Sequence, residues 1–509
     1  MRAADEVAGV GAAGLPAATS DPDKSLNHGQ VSGPTHARVP RSARPGLSEK
    51  QRGLLFPLVI LVVAVANVTL HLATPWDWWF EDDPFVYAGV RQVASPWLFF
   101  HDVAANRLAT GPNELAPVLL SSMWLDLWLA PLSTSWAYVH TGLVYLATAL
   151  AFYFATGRLL RDRALALTTS IAWMLLPSTT VLVEFLSTRH YMIGMFWALM
   201  AAMSVQDALQ ARPGRRGLLL VRVAAFTWFS IISKEFFPPA VLTLAFLWFA
   251  WRRDWRGALI PVVLGAAYAV YRVSMTEPSI VYYGNSLMSV EQSLKLLLRL
   301  PYMTYGGWAG YAALAFTVVV LRRKARSDPE ILPVIAIGGA TLVVSLLVIY
   351  PVGHPLNASW RSLGTWYRTP CVINTLLLLA FAYAVSTLQR ERARLAIMTL
   401  LLIVVFHGSH RTANEWDRMK ADLAAEAGFM FSNPDKLLVS QIRAVWFLPK
   451  VVELYPERKG AAFFSHWDRP PNRAYIDLLR SNAPFWVYEG RQFREASPET
   501  RKRLFAELP

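Results

Sequence analysis

The chain is built from long apolar blocks separated by short basic clusters, and this spacing constrains its fold more than anything else in it. Blocks fall at 54–73, 137–156, 164–183, 190–208, 217–233, 237–251, 257–275, 303–321, 331–352, 370–388 and 395–408. Most run to roughly 18–22 residues, the length a helix needs to cross a hydrocarbon core of about 30 Å. Hydrophobic residues make up 54% of the 509 positions and charged ones only 17%, against about 25% charged in a soluble protein. The pattern predicts a polytopic membrane protein and excludes a large soluble enzyme.

The net charge of +14 does not point to nucleic acid, because the cations sit between apolar blocks, as the positive-inside rule predicts. Arg41, Arg44, Lys50 and Arg52 precede the first block and hold the N-terminus in the cytoplasm. Later clusters at Arg158/Arg161/Arg163, Arg212/Arg215/Arg216, Arg252/Arg253/Arg256, Arg322/Arg323/Lys324/Arg326 and Arg390/Arg392/Arg394 then need to lie on the same side. Residues 114–133 are apolar enough to suggest another span, but counting them would reverse every later loop. Asp126 interrupts them, and Trp124 and Trp128 stand an i,i+4 step apart, as on an interfacial helix. Residues 74–136 therefore read as one large external loop with membrane-parallel helices.

Residues 1–53, rich in Ala, Gly, Pro, Ser and Arg, read as a disordered cytoplasmic tail. They lack the apolar core of a secretory signal, so the first block is expected to stay as an anchor. Residues 409–509 are charged, rich in Trp and Pro, and read as a small soluble external domain. The predicted fold is thus an all-α polytopic membrane domain over 54–408 with about eleven transmembrane helices, N-terminus inside and C-terminus outside. The single cysteine, Cys371, rules out an intrachain disulfide and a cysteine metal site.

This topology gathers acids and bases on the external side. Glu81, Asp82 and Asp83 follow the aromatic run Trp76-Asp77-Trp78-Trp79-Phe80, which reads as the point where the chain leaves the bilayer. His101 and Asp102 share that loop, and Glu184, Arg189 and His190 lie between the third and fourth blocks. Lys234 and Glu235 end the fifth, and His354, Arg361 and Arg368 precede the tenth. Charges at membrane depth are costly and face a cavity or a partner. Acids with cations suit a phosphate-bearing lipid and a proton: Arg and Lys for the phosphate, a carboxylate for a hydroxyl. Each feature has a plainer alternative. The acidic triplet also fits a solvated loop edge, Lys234 a snorkelling lysine, Arg189 and Arg368 interface anchors, and the histidines hydrogen-bonded boundary residues. Glu184, at the end of a long apolar run, needs a partner in any reading.

The order of these pieces resembles the GT-C superfamily of integral-membrane glycosyltransferases, most of all the transmembrane O-mannosyltransferases with tetratricopeptide repeats and their bacterial relatives. Phe80-Glu81-Asp82-Asp83-Pro84 resembles the family's acidic motif after the first span. Leu176-Pro177, Glu184 and Thr188-Arg189 resemble its His-Pro, Glu and Gly-Arg run, and Ser233-Lys234-Glu235 its Ser-Lys-Glu. Trp366-Tyr367-Arg368-Thr369-Pro370 resembles a late Arg/Tyr segment more loosely. The match covers roughly 75–390. Leu176 stands where the family has histidine, Ala116-Pro117 is the nearest counterpart of its Arg-Pro, and no tetratricopeptide tail follows.

The resemblance implies an inverting glycosyltransferase. Such an enzyme moves a sugar from a polyprenyl-phosphate carrier to a hydroxyl of a glycan, lipid or protein, on the outer side of a bacterial inner membrane. Asp82 or Asp83 is then the expected base. Lys234, Arg189 and Arg368 would hold the leaving phosphate, with Glu184 and Glu235 orienting those cations or the acceptor. A divalent cation, Mg2+ or Mn2+, is a candidate cofactor at Asp82 and Asp83 that the spacing does not require. Two other classes compete. An O-antigen ligase or polymerase would use a diphosphate-linked glycan through Arg361, Arg368 and His354. A lipid-sugar flippase would move the lipid without consuming it, though the repeats and midplane polar sites common in transporters are not evident.

Overall fold

The computed structural model describes residues 49–71, 79, 82–110, 114–276, 290–352, 371–441, 447–466, 468 and 470–508. Residues Arg52–Pro509 form one compact unit. The expected disordered tail lies almost entirely outside the described residues.

The chain starts with α1 (Glu49–His71) and then makes three short helices, α2 (Asp83–Arg91), α3 (Val103–Thr110) and α4 (Pro117–Leu129), with a 3-10 turn at Pro96–Phe100. The main helices are α5 (Thr134–Leu160), α6 (Arg163–Met174), α7 (Pro177–Glu184), α8 (Arg189–Gln210), α9 (Pro213–Ile231), α10 (Phe237–Trp251) and α11 (Trp255–Met275). They continue with α12 (Val290–Tyr305), α13 (Ala309–Ser327), α14 (Leu332–Val352), α15 (Cys371–Ser386) and α16 (Glu391–Ser432). Among the described residues every apolar block lies mainly on helix. Outward-facing Leu218, Val221, Val263, Val270, Leu400 and Ile403 are each more than 60% exposed, the surface a membrane helix presents to lipid.

The chain is an integral membrane protein with an all-helical membrane region. Among the described residues, five helices are long and apolar enough to cross a bilayer, or up to seven if each of two bent pairs is one span. Length and composition therefore do not reach the expected eleven. Leu54–Thr69, Phe237–Trp251 and Cys371–Ser386 are apolar but short, and α9 carries Arg215, Arg216 and Arg222. Helix α4, at 13 residues, covers about 20 Å, too little to cross. Leaving 114–133 out of the spans is therefore consistent with its length.

Ion pairs mark one end of the helix bundle. Arg158 at the end of α5 meets Asp207 at the end of α8 at 2.8 Å, and Arg394 at the start of α16 meets Asp162 at 3.1 Å. Asp162 also caps α6 through the N–H groups of Ala164 and Leu165, which satisfies donors the helix itself cannot. The helices leaving this end carry Glu184 and Lys420 to the other one. Helices α6 and α7 bend by 57° at Leu175-Leu176-Pro177. Proline cannot continue the ladder and forces the residue before it into an extended conformation, and Leu176 is extended at φ −65°, ψ 139°. The bend is packed shut. A Cβ on Gly408 of α16 would lie 3.1 Å from the Pro177 ring and 2.9 Å from the Gly306 Cα, and Gly306 itself has φ +74°. Only glycine suits both requirements there.

Helix α16 is 42 residues long, about 63 Å, twice the depth of a membrane core. It passes residue 409 without a break, so the last apolar block and the C-terminal region share one rigid rod. Beyond it lies a four-stranded sheet the sequence reading left unassigned. Its strands are β1 (Leu437–Ser440), β2 (Ala462–Ser465), β3 (Trp486–Glu489) and β4 (Gln492–Glu495), in the order β2-β1-β3-β4. The β1–β2 and β1–β3 pairs are parallel. β3 and β4 are antiparallel and close on Gly490-Arg491, both at positive φ, as a two-residue hairpin requires. Helices α17 (Phe447–Leu454), α18 (Arg473–Arg480) and α19 (Pro498–Ala506) complete this part, with Val439, Tyr475, Leu479, Phe485, Val487 and Leu504 as its core.

The sheet is fastened to α16 by a buried contact in which the Ser440 hydroxyl donates to Glu426 Oε2 at 2.5 Å. Burial, opposed by that hydrogen bond, pushes the Glu426 carboxyl up to about 7. A raised carboxyl favours the fold when protonated, so this contribution is complete below the unfolded value of about 4.3. It is lost as pH rises through about 7. Thermal unfolding from pH 5 to 8 is expected to show declining stability, and Glu426→Gln is expected to flatten that slope.

Candidate functional site

The site forms where the short helices cap the bundle. Helix α2 begins at Asp83, with Pro84 next to it, a residue pre-set for a first helical turn. Asp83 is fully buried, and its Oδ1 accepts the Ser187 backbone N–H at 2.7 Å. That N–H belongs to the Leu186–Thr188 turn between α7 and α8. The acidic segment and the Glu184–Arg189 segment are 104 positions apart and meet in this contact. Asp82 is only partly buried. Glu81 lies outside the described residues.

One turn beyond Asp83, Tyr87 faces the same way, and its hydroxyl donates to Asp126 Oδ2 at 2.8 Å. Asp126 is the hub of a buried network. Arg189 Nη1 reaches Asp126 Oδ2 at 2.7 Å and Ser122 Oγ at 2.8 Å. Its Nε donates to Thr141 Oγ1 at 2.9 Å and its Nη2 to the Ala137 carbonyl at 3.0 Å. His140 Nδ1 lies 2.6 Å from Asp126 Oδ1. Burial would raise the Asp126 carboxyl, but the Arg189 charge and then the His140 hydrogen bond outweigh it and hold it below the usual carboxylate range. Burial is also the main reason the Tyr87 hydroxyl lies well above its usual value, so Tyr87 serves as a donor. Arg189 is 0% exposed, and its guanidinium is spent inside the protein, tying α2, α4, α5 and α8 together.

Glu184 ends α7 and is 1% exposed. Its partner is Lys420 of α16, with Nζ 3.6 Å from Glu184 Oε2. Lys420 is equally buried and lies 4.1 Å over the Tyr138 ring, a cation–π placement. The Tyr138 hydroxyl donates to the Glu184 backbone carbonyl at 3.3 Å. Lys234 and Glu235 sit in the turn between α9 and α10. Lys234 Nζ lies 3.1 Å from Glu235 Oε1 and 3.3 Å from Glu114 Oε2. Glu114 belongs to the loop after α3, which Asn106 holds by donating to the Glu114 carbonyl at 2.7 Å. Stacked rings of Tyr191 and Phe236, 5.9 Å apart, connect the Arg189 and Lys234 segments.

The structure thus brings Asp83 to the Glu184–Arg189 segment and couples Lys234 with Glu235. Arg368, Arg361 and His354 lie outside the described residues. Asp102 has a local duty, its Oδ1 capping α3 at the Ala104 N–H at 2.8 Å. Trp79 packs inside the protein: it is fully buried, donates to the Tyr455 hydroxyl at 2.8 Å and packs on Tyr87 at 4.6 Å. Among the described residues no group of three His, Cys, Asp or Glu side chains is placed to hold a metal ion, and Asp83 Oδ1 already accepts a backbone N–H.

Sequence reading missed Asp126 and Lys420. An acid inside the apolar stretch 114–133 needs a buried partner, which was the available signal. For Lys420 the signal was helical spacing: it falls on the stripe of Trp416, Leu423 and Ala427, all buried on α16.

No protein-family model matches the chain, and no curated protein matches it by sequence. Among solved structures it is similar to crystal structures of ArnT from Cupriavidus metallidurans. With the form bound to undecaprenyl phosphate the TM-score is 0.48, at 14% identity over 91% of this chain and 96% of that one. With the apo form the TM-score is 0.45, at 15% identity over 86% and 92%.

Removing the acid at the hub strands a fully buried guanidinium. Asp126→Asn is expected to destabilise the protein by about 3–5 kcal/mol, read as a fall in Tm in detergent. Since the Asp126 carboxyl is lowered in the fold, its contribution is present above the unfolded value of about 3.9 and lost as pH falls through the folded one. The variant should therefore differ from wild type at pH 7 and converge with it in strong acid.

Proposed function

We propose that this chain is an inverting glycosyltransferase of the GT-C type, moving a sugar from a polyprenyl-phosphate carrier to an acceptor hydroxyl on the outer side of the membrane. The observation that carries the reading is Asp83, a buried carboxylate fixed by a backbone donor at one end of a membrane helix bundle. A base needs a fixed position and a dry surrounding, where its charge counts for more than in water. Of the two candidate carboxylates Asp83 has both, and the partly exposed Asp82 is its solvated neighbour.

In this mechanism Asp83 takes the proton of the acceptor hydroxyl. The hydroxyl oxygen bonds to the anomeric carbon on the face opposite the phosphate. The bond from that carbon to the phosphate oxygen breaks, and its electron pair leaves with the polyprenyl phosphate. Lys234 and Arg368 are the cations proposed to hold the leaving phosphate, with Glu235, 3.1 Å from Lys234 Nζ, orienting the lysine. Arg189, whose donors are engaged by Asp126, Ser122, Thr141 and Ala137, is proposed to position the site instead of touching substrate. Glu184 orients Lys420. No step is routed through a metal ion.

The test is transfer from a radiolabelled polyprenyl-phosphate sugar in vesicles holding the purified protein. Asp83→Asn is expected to lose about 100- to 10,000-fold in kcat, while Asp82→Asn keeps most of the activity. Full transfer by Asp83→Asn would refute this assignment. Labelled lipid that crosses the bilayer unconsumed would make the chain a flippase.

A further inference from the structure

We propose that Lys420 is a positioning residue for the Asp83 site, so that the helix leading into the C-terminal region is part of that site. The proposal rests on the sugar-transfer reading above. Lys420 lies beyond the last apolar block, in the stretch that composition assigns to a separate external domain. The structure puts it elsewhere: 1% exposed, 3.6 Å from Glu184 and over the Tyr138 ring.

Glu184 stands three residues before Ser187, whose N–H holds Asp83. The intervening turn is short and fully buried. Whatever holds Glu184 therefore fixes the donor that aims Asp83. Two other contacts seat α16 against the same segment. Thr180 and Ser409 share a hydrogen bond of 2.6 Å, and the Trp416 ring packs against Phe185 at 6.1 Å. Neither carries charge. Lys420 alone, among the described residues, forms an ion pair with Glu184, and Asp83, Glu184 and Asp417 all lie within electrostatic range of Tyr138. Without a cation, burial and those carboxylates would disfavour a charged Glu184, and the electrostatic hold between the turn and α16 would be lost.

The pair is held for placement more than for stability. Neither Glu184 oxygen nor Lys420 Nζ has a hydrogen-bond partner among the described residues. A buried ion pair without such support repays its desolvation poorly. The distal end of α16 is anchored independently, since the Ala461 N–H donates to the Met430 carbonyl at 2.9 Å and Ser440 holds Glu426. Lys420 thus sits on a rod clamped by the bundle on one side and by the sheet on the other.

The experiment uses full-length Lys420→Met, Lys420→Arg, Glu184→Gln and the Glu184→Gln/Lys420→Met double variant. In thermal unfolding the double variant is expected to be more stable than Lys420→Met alone, since no uncompensated buried charge remains. Strictly additive effects would overturn the pairing. In the vesicle assay Lys420→Met is expected to lose about 100-fold in kcat, the cost of a misplaced group, with donor KM within about threefold, since binding is untouched. Lys420→Arg should recover most of that loss and the double variant part of it. A folded Lys420→Met with wild-type kcat, or a loss confined to KM, overturns the proposal. Should Lys420→Met fail to fold, Lys420→Arg and the double variant carry both arms. If the wild type transfers no sugar, the functional reading fails, while the unfolding arm still reports on the pair.

Discussion

The contact on which the layer of short helices capping the bundle depends is the buried pair between Arg189 and Asp126, at 2.7 Å. A guanidinium at the first residue of a helix opposes the positive end of the helix dipole, and burying it without compensation would cost several kcal/mol. Asp126 supplies the compensating charge, and Ser122, Thr141 and the Ala137 carbonyl take further donors. Because these partners come from α4 and α5, satisfying Arg189 fixes where α8 begins relative to both. Tyr87, bonded to the same carboxylate, extends the constraint to α2 and sets the face on which Asp83 emerges one turn earlier.

A second constraint runs lengthwise. Helices α6, α7 and α16 are stitched by Arg394–Asp162 near one end, Thr180–Ser409 along the way and Lys420–Glu184 at the other end. The glycine contact at Gly306, Gly408 and Pro177 lets the bent pair and the long rod approach closely. The C-terminal region is consequently no loose appendage. Arg91 of α2 donates to the Leu454 carbonyl at 2.7 Å, and Trp79 reaches Tyr455, so α17 grips the short helix that bears Asp83.

Much of the fold was legible in the sequence. Apolar blocks located the helices, and the helix within 114–133 is short, at 13 residues. Their number was less legible, because the Leu176-Pro177 break and the bend before Ala309 divide blocks that look continuous, and hydropathy does not register a change of direction. The sheet was invisible: its strands are four residues each, too short for alternation to stand out. Within the site, the acidic segment, Glu184, Arg189 and Lys234 were recognisable as costly charges near membrane ends. Their partners were not, since an ion pair between positions 184 and 420 leaves no trace in either local stretch.

The sequence by itself determined that this chain lives in a membrane, roughly where its helices run and which charges need explaining. These follow from the cost of exposing apolar surface to water and charge to lipid, and that cost acts residue by residue. Tertiary structure decided which charges are spent on one another. Arg189, expected at a leaving phosphate, is paired with Asp126, and Lys420, which the local sequence did not single out, is carried by α16 to Glu184. Pairing at a distance depends on how helices pack, and packing is a property of the whole chain.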